Sequence, residues 1–325
     1  MDYTYFRREV VERSNIEASD WTVAVVAYNE SARVRELWDR LPAATTKIWA
    51  LHREYGFTGE RRPQGLVVDS TGLNEAEFAD ELIAEIGRRT NQPLADHRLA
   101  IDITGFMRPE LVCLVQRLRA SGARVVDFLY AEPMRYQSKG WTKFSSGSVQ
   151  LVRQVLSCEG IHDIDSDGDV LILGTGYDDV LMSAVAGHKP QAAKRLILGF
   201  PSLAPDMYQE NVWRVSRAGE EIGAAALSAR QEHLFAPAND PFVTAQVVSD
   251  AVADAFLRRN ARNVYLSPLG TKVQVLGFAL YHAIECLGRD VPVSVLLPFT
   301  DGYEKKTSDG VSRTWCYTVD LQANP

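Results

Sequence analysis

Two stretches of this chain, far apart in sequence, pass through the same succession of residue types. Ala100–Tyr136 opens A-I-D-I-T-G-F-M-R-P, continues as a helical pattern ending in Ser-Gly, and closes V-V-D-F-L-Y-A-E-P-M-R-Y. Val264–Tyr303 opens V-Y-L-S-P-L-G-T-K, continues as a helical pattern ending in Leu-Gly, and closes V-S-V-L-L-P-F-T-D-G-Y. Each reads as strand, glycine turn, helix, strand, then Pro and Tyr. An earlier unit repeats as well: Ala27-Tyr28-Asn29-Glu30 with a proline at 42 corresponds to Gly176-Tyr177-Asp178-Asp179 with a proline at 190. Two correspondences in the same order point to duplication, which obliges the chain to fold twice on one plan.

The local patterns say which plan. Trp21–Tyr28 is a β-branched apolar run of strand length, and the helical pattern over Glu30–Leu41 stops at Pro42. Further strands are expected at 48–51, 66–68, 99–103 and 125–130, alternating with helices at 74–89 and 109–120. The second half gives strands at 170–174, 195–198, 233–236, 263–266 and 293–298, with helices near 178–186, 206–217, 241–259 and 273–287. Strands without a polar face, separated by amphipathic helices, imply mostly parallel sheets covered on both sides. The expected fold class is therefore α/β, two tandem Rossmann-like domains with sheets flanked by helices. The expected division is 1–135, a polar connection at 136–168 with a short strand at 149–155, and 169–325. A charged turn at 304–310, containing Lys305 and Lys306, followed by an edge strand at 314–319, is expected to finish the chain.

Composition narrows the function. Forty-two acidic against 35 basic residues give a net charge of −7, the wrong sign for a protein that coats nucleic acid. The longest apolar stretch, 273–283, is too short to span a bilayer and no signal-like segment opens the chain, so no membrane insertion and a cytoplasmic location are expected. Cys113, Cys158, Cys286 and Cys316 form no close pair and read as reduced core thiols. The six histidines are dispersed, and His282, inside an apolar helix, reads as a core residue. No Gly-x-Ser-x-Gly elbow, phosphate-loop or His-Glu-x-x-His motif occurs. The run Asp163–Asp169 imitates a calcium loop but has Gly174 where the bidentate Glu belongs, so no metal site is expected.

The glycine turns are the candidate site. Thr104-Gly105 and Gly270-Thr271-Lys272 each follow a buried strand and open a helix, where backbone N–H groups attract an anion, with Arg108 and Lys272 adding charge. They read equally as tight turns with a threonine cap. At the other pair of turns, Tyr28, Asn29 and Glu30 correspond to Tyr177, Asp178 and Asp179. Gly174-Thr175-Gly176 begins like a dinucleotide fingerprint, but carboxylates at the helix start oppose a pyrophosphate. Those residues either cap helices, accept hydrogen bonds from ribose hydroxyls or a base edge, or hold a metal. The four turns are expected to line one crevice where the strand ends of the two halves meet.

At Ile101-Asp102-Ile103-Thr104-Gly105, followed by a helix and Leu129-Tyr130, the chain resembles the CRISPR-associated Rossmann-fold (CARF) sensors of bacterial antiviral defence, and the tandem arrangement is similar to the fused sensor domains called SAVED. It departs from that family where Phe106 and Met107 replace the usual second glycine and threonine. The resemblance implies that Thr104, Gly105 and Arg108, with Gly270, Thr271 and Lys272, touch a cyclic oligonucleotide, and that the output goes to a protein effector. The expectation is thus a sensor or accessory protein holding a small anionic, nucleotide-like ligand. A phosphodiesterase or ring-opening nuclease using the same cleft, and a structural subunit of a defence complex, remain as alternatives; no cofactor is assigned.

Overall fold

Unbroken apolar runs such as V-A-V-V-A can hide both faces only inside a sheet covered by helices. The computed structural model, which describes residues 1–136, 148–223, 226–227, 233–304 and 308–324, places them there. In chain order the strands are β1 (Arg7–Val11), β2 (Val23–Ala27), β3 (Thr46–Leu51), β4 (Val67–Asp69), β5 (Leu99–Asp102) and β6 (Val125–Tyr136). There follow β7 (Val149–Gln154), β8 (Val170–Gly174), β9 (Ala193–Gly199), β10 (His233–Ala236), β11 (Val264–Pro268), β12 (Val293–Thr300) and β13 (Ser308–Asp320).

One sheet has seven strands in the order β1-β13-β6-β5-β2-β3-β4, the other six in the order β10-β9-β8-β11-β12-β7. Each contains five parallel strands wound outward in both directions from a central pair, β2 and β5 in one, β8 and β11 in the other. That is the Rossmann-like doubly wound order, and the central pair marks its topological switch point. The duplication read from sequence is thus also a duplication of topology.

The helices begin where local chemistry stops a strand and supplies a cap. Ser31 caps Ala32–Arg40, Asn74 and Glu77 form a capping box for Glu75–Thr90, and Asp240 caps Pro241–Arg259. Helix Lys272–Tyr281 runs on into a π-helical turn, His282–Cys286. This apolar stretch is buried, His282 included, and burial pushes that imidazole down to about 4, which keeps it neutral. All four cysteines are free and buried. No helix among the described residues is long and apolar enough to cross a membrane.

The ends of the sheets differ from the expectation. Residues 314–319 were expected in an edge strand, but β13 lies between β6 and β1, antiparallel to both. The reason is burial: Trp315, Tyr317 and Val319 are core residues, and Trp315 Nε1 donates to the buried Glu132 Oε2 at 2.7 Å. The true edge is β1, whose R-R-E start is solvent-facing and charged, which discourages further pairing.

Chain division follows from this. One unit comprises Tyr5–Ser146 and Gly302–Ala323, the other Met1–Thr4, Gly147–Asp301 and Asn324–Pro325. The division is less sequential than 1–135, 136–168 and 169–325: β13 returns to the N-terminal sheet, and β7, inside the expected connection, edges the second sheet. Residues 137–147 of that connection, and Lys305 and Lys306, lie outside the described residues.

Candidate functional site

In the N-terminal domain the chain leaves β2 through Tyr28-Asn29-Glu30-Ser31 and leaves β5 through Ile103-Thr104-Gly105-Phe106-Met107. The two turns are pressed together at Gly105. A Cβ there would lie 2.4 Å from Ala27 O and 3.0 Å from Asn29 Nδ2. Asn29 Oδ1 accepts from Ser31 N at 2.9 Å, and the Tyr55 hydroxyl donates to Gly105 O at 3.0 Å. Thr104 Oγ1 accepts from Ala131 N at 3.0 Å and ties the turn to β6. Tyr28 donates its hydroxyl to Arg61 O, and Glu30 pairs with Arg61 at 2.6 Å. Most groups singled out from sequence are therefore engaged in holding the turns. Arg108, partly exposed, opens the following helix.

Two buried ionisable residues that sequence reasoning did not single out, Asp102 and Arg33, sit in this region. Asp102, 1% exposed, accepts from Thr104 N at 3.0 Å through Oδ1, while Oδ2 has no hydrogen-bond partner. Burial pushes its carboxyl up to about 6, against the turn hydrogen bonds from Thr104 and the positive charge of Arg33. Arg33 is itself buried, donating to Ala131 O at 2.8 Å. An aspartate inside the apolar run A-I-D-I was the available signal for Asp102; nothing marked Arg33 among the arginines of its helix.

The C-terminal domain repeats the device with different residues. Its turns are Thr175-Gly176-Tyr177-Asp178 after β8 and Leu269-Gly270-Thr271 after β11. Here Gly176 is the contact point, its Cβ position 2.0 Å from Leu269 O. The Thr175 hydroxyl donates to Asn211 Oδ1, and Asn211 Nδ2 donates to Gly176 O, both at 2.7 Å. Thr271 and Gln274 form a capping box, and the Thr271 hydroxyl donates to Ala238 O at 2.6 Å. A Cβ at Gly270 would meet Gln274 Oε1 at 2.3 Å. Asp178 caps helix Asp179–His188, and Asp179 pairs with the buried Arg214 at 2.9 Å and with Arg217 at 3.1 Å. Tyr177 and Lys272 are partly exposed. The two carboxylates are thus committed to the fold.

Charge and space locate what remains. Two clefts of the N-terminal domain, about 860 and 530 Å³, lie along helix Ala32–Arg40 rather than over Gly105. The first is lined by Glu17, Glu30, Glu36, Asp39 and Asp309 against Arg35 and Arg40, a poor setting for an anion. The Asp163–Asp169 run is spent on turns and on pairing with Arg262. Among the described residues, His52, Glu54 and Glu110 could hold a metal ion.

Fold and turns together define the class: a chain of two Rossmann-like domains, each with its paired βα turns at the switch point. No protein-family model matches the chain, and no curated protein matches it. Among solved structures, a SAVED/CARF-domain-containing receptor from Acinetobacter baumannii, with the cyclic trinucleotide 2'3'3'-cAAA, is 11% identical, with a TM-score of 0.34, covering 88% of this chain and 50% of the receptor. This chain therefore spans half the length of that receptor. An N-terminal ketoreductase from a macrolactin assembly line is 12% identical, with a TM-score of 0.23, covering 91% of this chain and 90% of the other. At these scores neither likeness assigns an activity.

Proposed function

We propose that the chain is a nucleotide-sensing protein of a bacterial antiviral defence system, binding a cyclic oligonucleotide or similar small anion at the glycine turns and signalling its presence to a protein effector. One observation carries the reading. In both domains the turns singled out from sequence follow the two strands that flank the switch point, the place where open α/β sheets bind ligands. The Asp-x-Thr-Gly resemblance supplies the ligand class and the defence setting. Thr104, Asn29, Thr271, Asp178 and Asp179 hold the turns, and we assign the anion contacts to the backbone at the helix starts, with the positive charge of Arg108 and Lys272 beside it.

Calorimetric titration with a panel of cyclic di- and oligonucleotides, in metal-free buffer, tests this. The expected result is saturable binding of at least one member, weakened roughly tenfold or more by Lys272→Ala or Arg108→Ala, consistent with loss of a charge-assisted contact. If no member binds, the reading is wrong. Chromatography of the recovered nucleotide separates sensor from enzyme: intact ligand supports sensing, and ring-opened product supports a phosphodiesterase.

A further inference from the structure

His52 and Glu54, two residues apart, converge with the sequence-distant Glu110 at the carboxyl end of the N-terminal sheet. His52 directly follows β3, Glu54 lies in the short 3-10 turn Arg53–Tyr55, and Glu110 lies in the first turn of helix Arg108–Ala120. One ring nitrogen of His52 and one carboxylate oxygen from each glutamate lie within 4.8 Å of one another. His52 is fully buried, Glu110 is 6% exposed and the Glu54 side chain 10% exposed.

Two carboxylates held this close, away from water, repel each other unless one takes up a proton or a positive charge stands between them. Glu75, buried at the start of helix Glu75–Thr90, adds a third negative charge to the surroundings of Glu110. The protein cation facing the group is Arg53. Its Nε meets Glu54 Oε1 at 3.2 Å, and its Nη1 donates to Leu73 O at 3.2 Å, with its side chain half exposed. The second oxygens, Glu54 Oε2 and Glu110 Oε2, are buried without hydrogen-bond partners. Arg53 therefore leaves the inner side of the group uncompensated.

The geometry points to a binding site for a divalent transition-metal ion, with His52, Glu54 and Glu110 as its ligands. An imidazole beside two carboxylates suits Zn²⁺ or Mn²⁺ better than Ca²⁺ or Mg²⁺, which prefer oxygen alone. Bonds of about 2.1 Å set tetrahedral donors about 3.4 Å apart, which the upper bound of 4.8 Å on the donor spacing accommodates. Edge contacts to Phe78 and Phe106, with ring centroids 5.2 and 5.1 Å away, brace the imidazole. Three protein ligands leave at least one coordination position for water or another group. The site stands independently of nucleotide binding.

The test strips the full chain with EDTA, dialyses it, and titrates it with Zn²⁺ and, separately, Mn²⁺ by calorimetry while following the unfolding temperature. One equivalent of ion should bind and raise the unfolding temperature. Glu110→Gln, nearly isosteric, should keep its circular dichroism spectrum and bind the ion at least about tenfold more weakly, and Glu54→Gln provides the same test at the rim. Glu81→Gln, on an exposed part of helix Glu75–Thr90, should bind as the wild type does. The inference is overturned if the stripped chain takes up neither ion, or if Glu110→Gln and Glu54→Gln bind like the wild type. A more stable Glu110→Gln variant together with no ion uptake would identify the group as a buried, protonated acid instead.

Discussion

Glycine at 105 and at 176 answers to packing before it answers to any ligand. A methyl group at either position would strike a backbone carbonyl, Ala27 O or Leu269 O, which cannot move without dragging a strand end. Gly105→Ala and Gly176→Ala should each cost roughly 1–3 kcal/mol in urea denaturation, as overpacking does. Gly270→Ala should cost less, because the atom in its way is the end of the Gln274 side chain. Equal costs at all three positions would contradict this. Asp102 makes a separate prediction about pH. Its carboxyl is raised from 3.8 to about 6 in the folded chain, so between those values the native state holds a proton the unfolded state has lost, and stability falls as pH rises through that window. The gap of about two pH units corresponds to roughly 3 kcal/mol at most. Asp102→Asn keeps an acceptor for Thr104 N, so it should stabilise the protein by roughly 1–3 kcal/mol at pH 8 and leave it nearly unchanged at pH 3. A loss of stability at pH 8 would show that the ionised form is needed for the fold.

Elements show why some of this was legible in sequence and some was not. The central strand β8 reads clearly because burial on both faces removes polar alternation, and 170–174 matches it residue for residue; 233–236 likewise matches β10, although that strand is a partly exposed edge. The capping box at Thr271 and Gln274 also follows from a three-residue spacing, and Thr271→Ala should cost about 1 kcal/mol in thermal unfolding. β1 was missed because R-R-E-V-V belongs to an outer edge and carries the charges an edge needs. β13 was read as a strand but misplaced, since its partners, β6 and β1, lie nearly the length of the chain away. The glycine turns were legible as turns. That their hydroxyls and carboxylates are consumed by Ala131, Ala238, Leu181 and Arg214 was not, because three of these four partners are distant in sequence. His52, Glu54 and Glu110 escaped notice for the same reason: only the fold of β3 against the helix after β5 brings them together.

At the scale of the whole molecule, the two units cannot be separated by one cut. The antiparallel neighbour of β12 is β7, which follows the N-terminal domain's last parallel strand; the neighbour of β6 is β13, which follows the C-terminal domain's last parallel strand. A fragment of residues 1–146 would leave β6 with an open edge, exposed to aggregation. It should be insoluble alone, whereas co-expression with residues 147–325, which carry β13, should give a soluble pair that co-elutes on size exclusion. A soluble, monomeric 1–146 fragment would show that β13 is dispensable to that sheet.

The proposed function puts nucleotide-type anion binding at the helix start after β5 in one domain and at the helix start after β11 in the other. Amide hydrogen exchange, with and without each cyclic nucleotide at saturating concentration, measures this most directly. Slowed exchange is expected at residues 103–110 and 269–274 with at least one nucleotide. Unchanged exchange at both segments with every nucleotide, or protection confined to other parts of the chain, would contradict it.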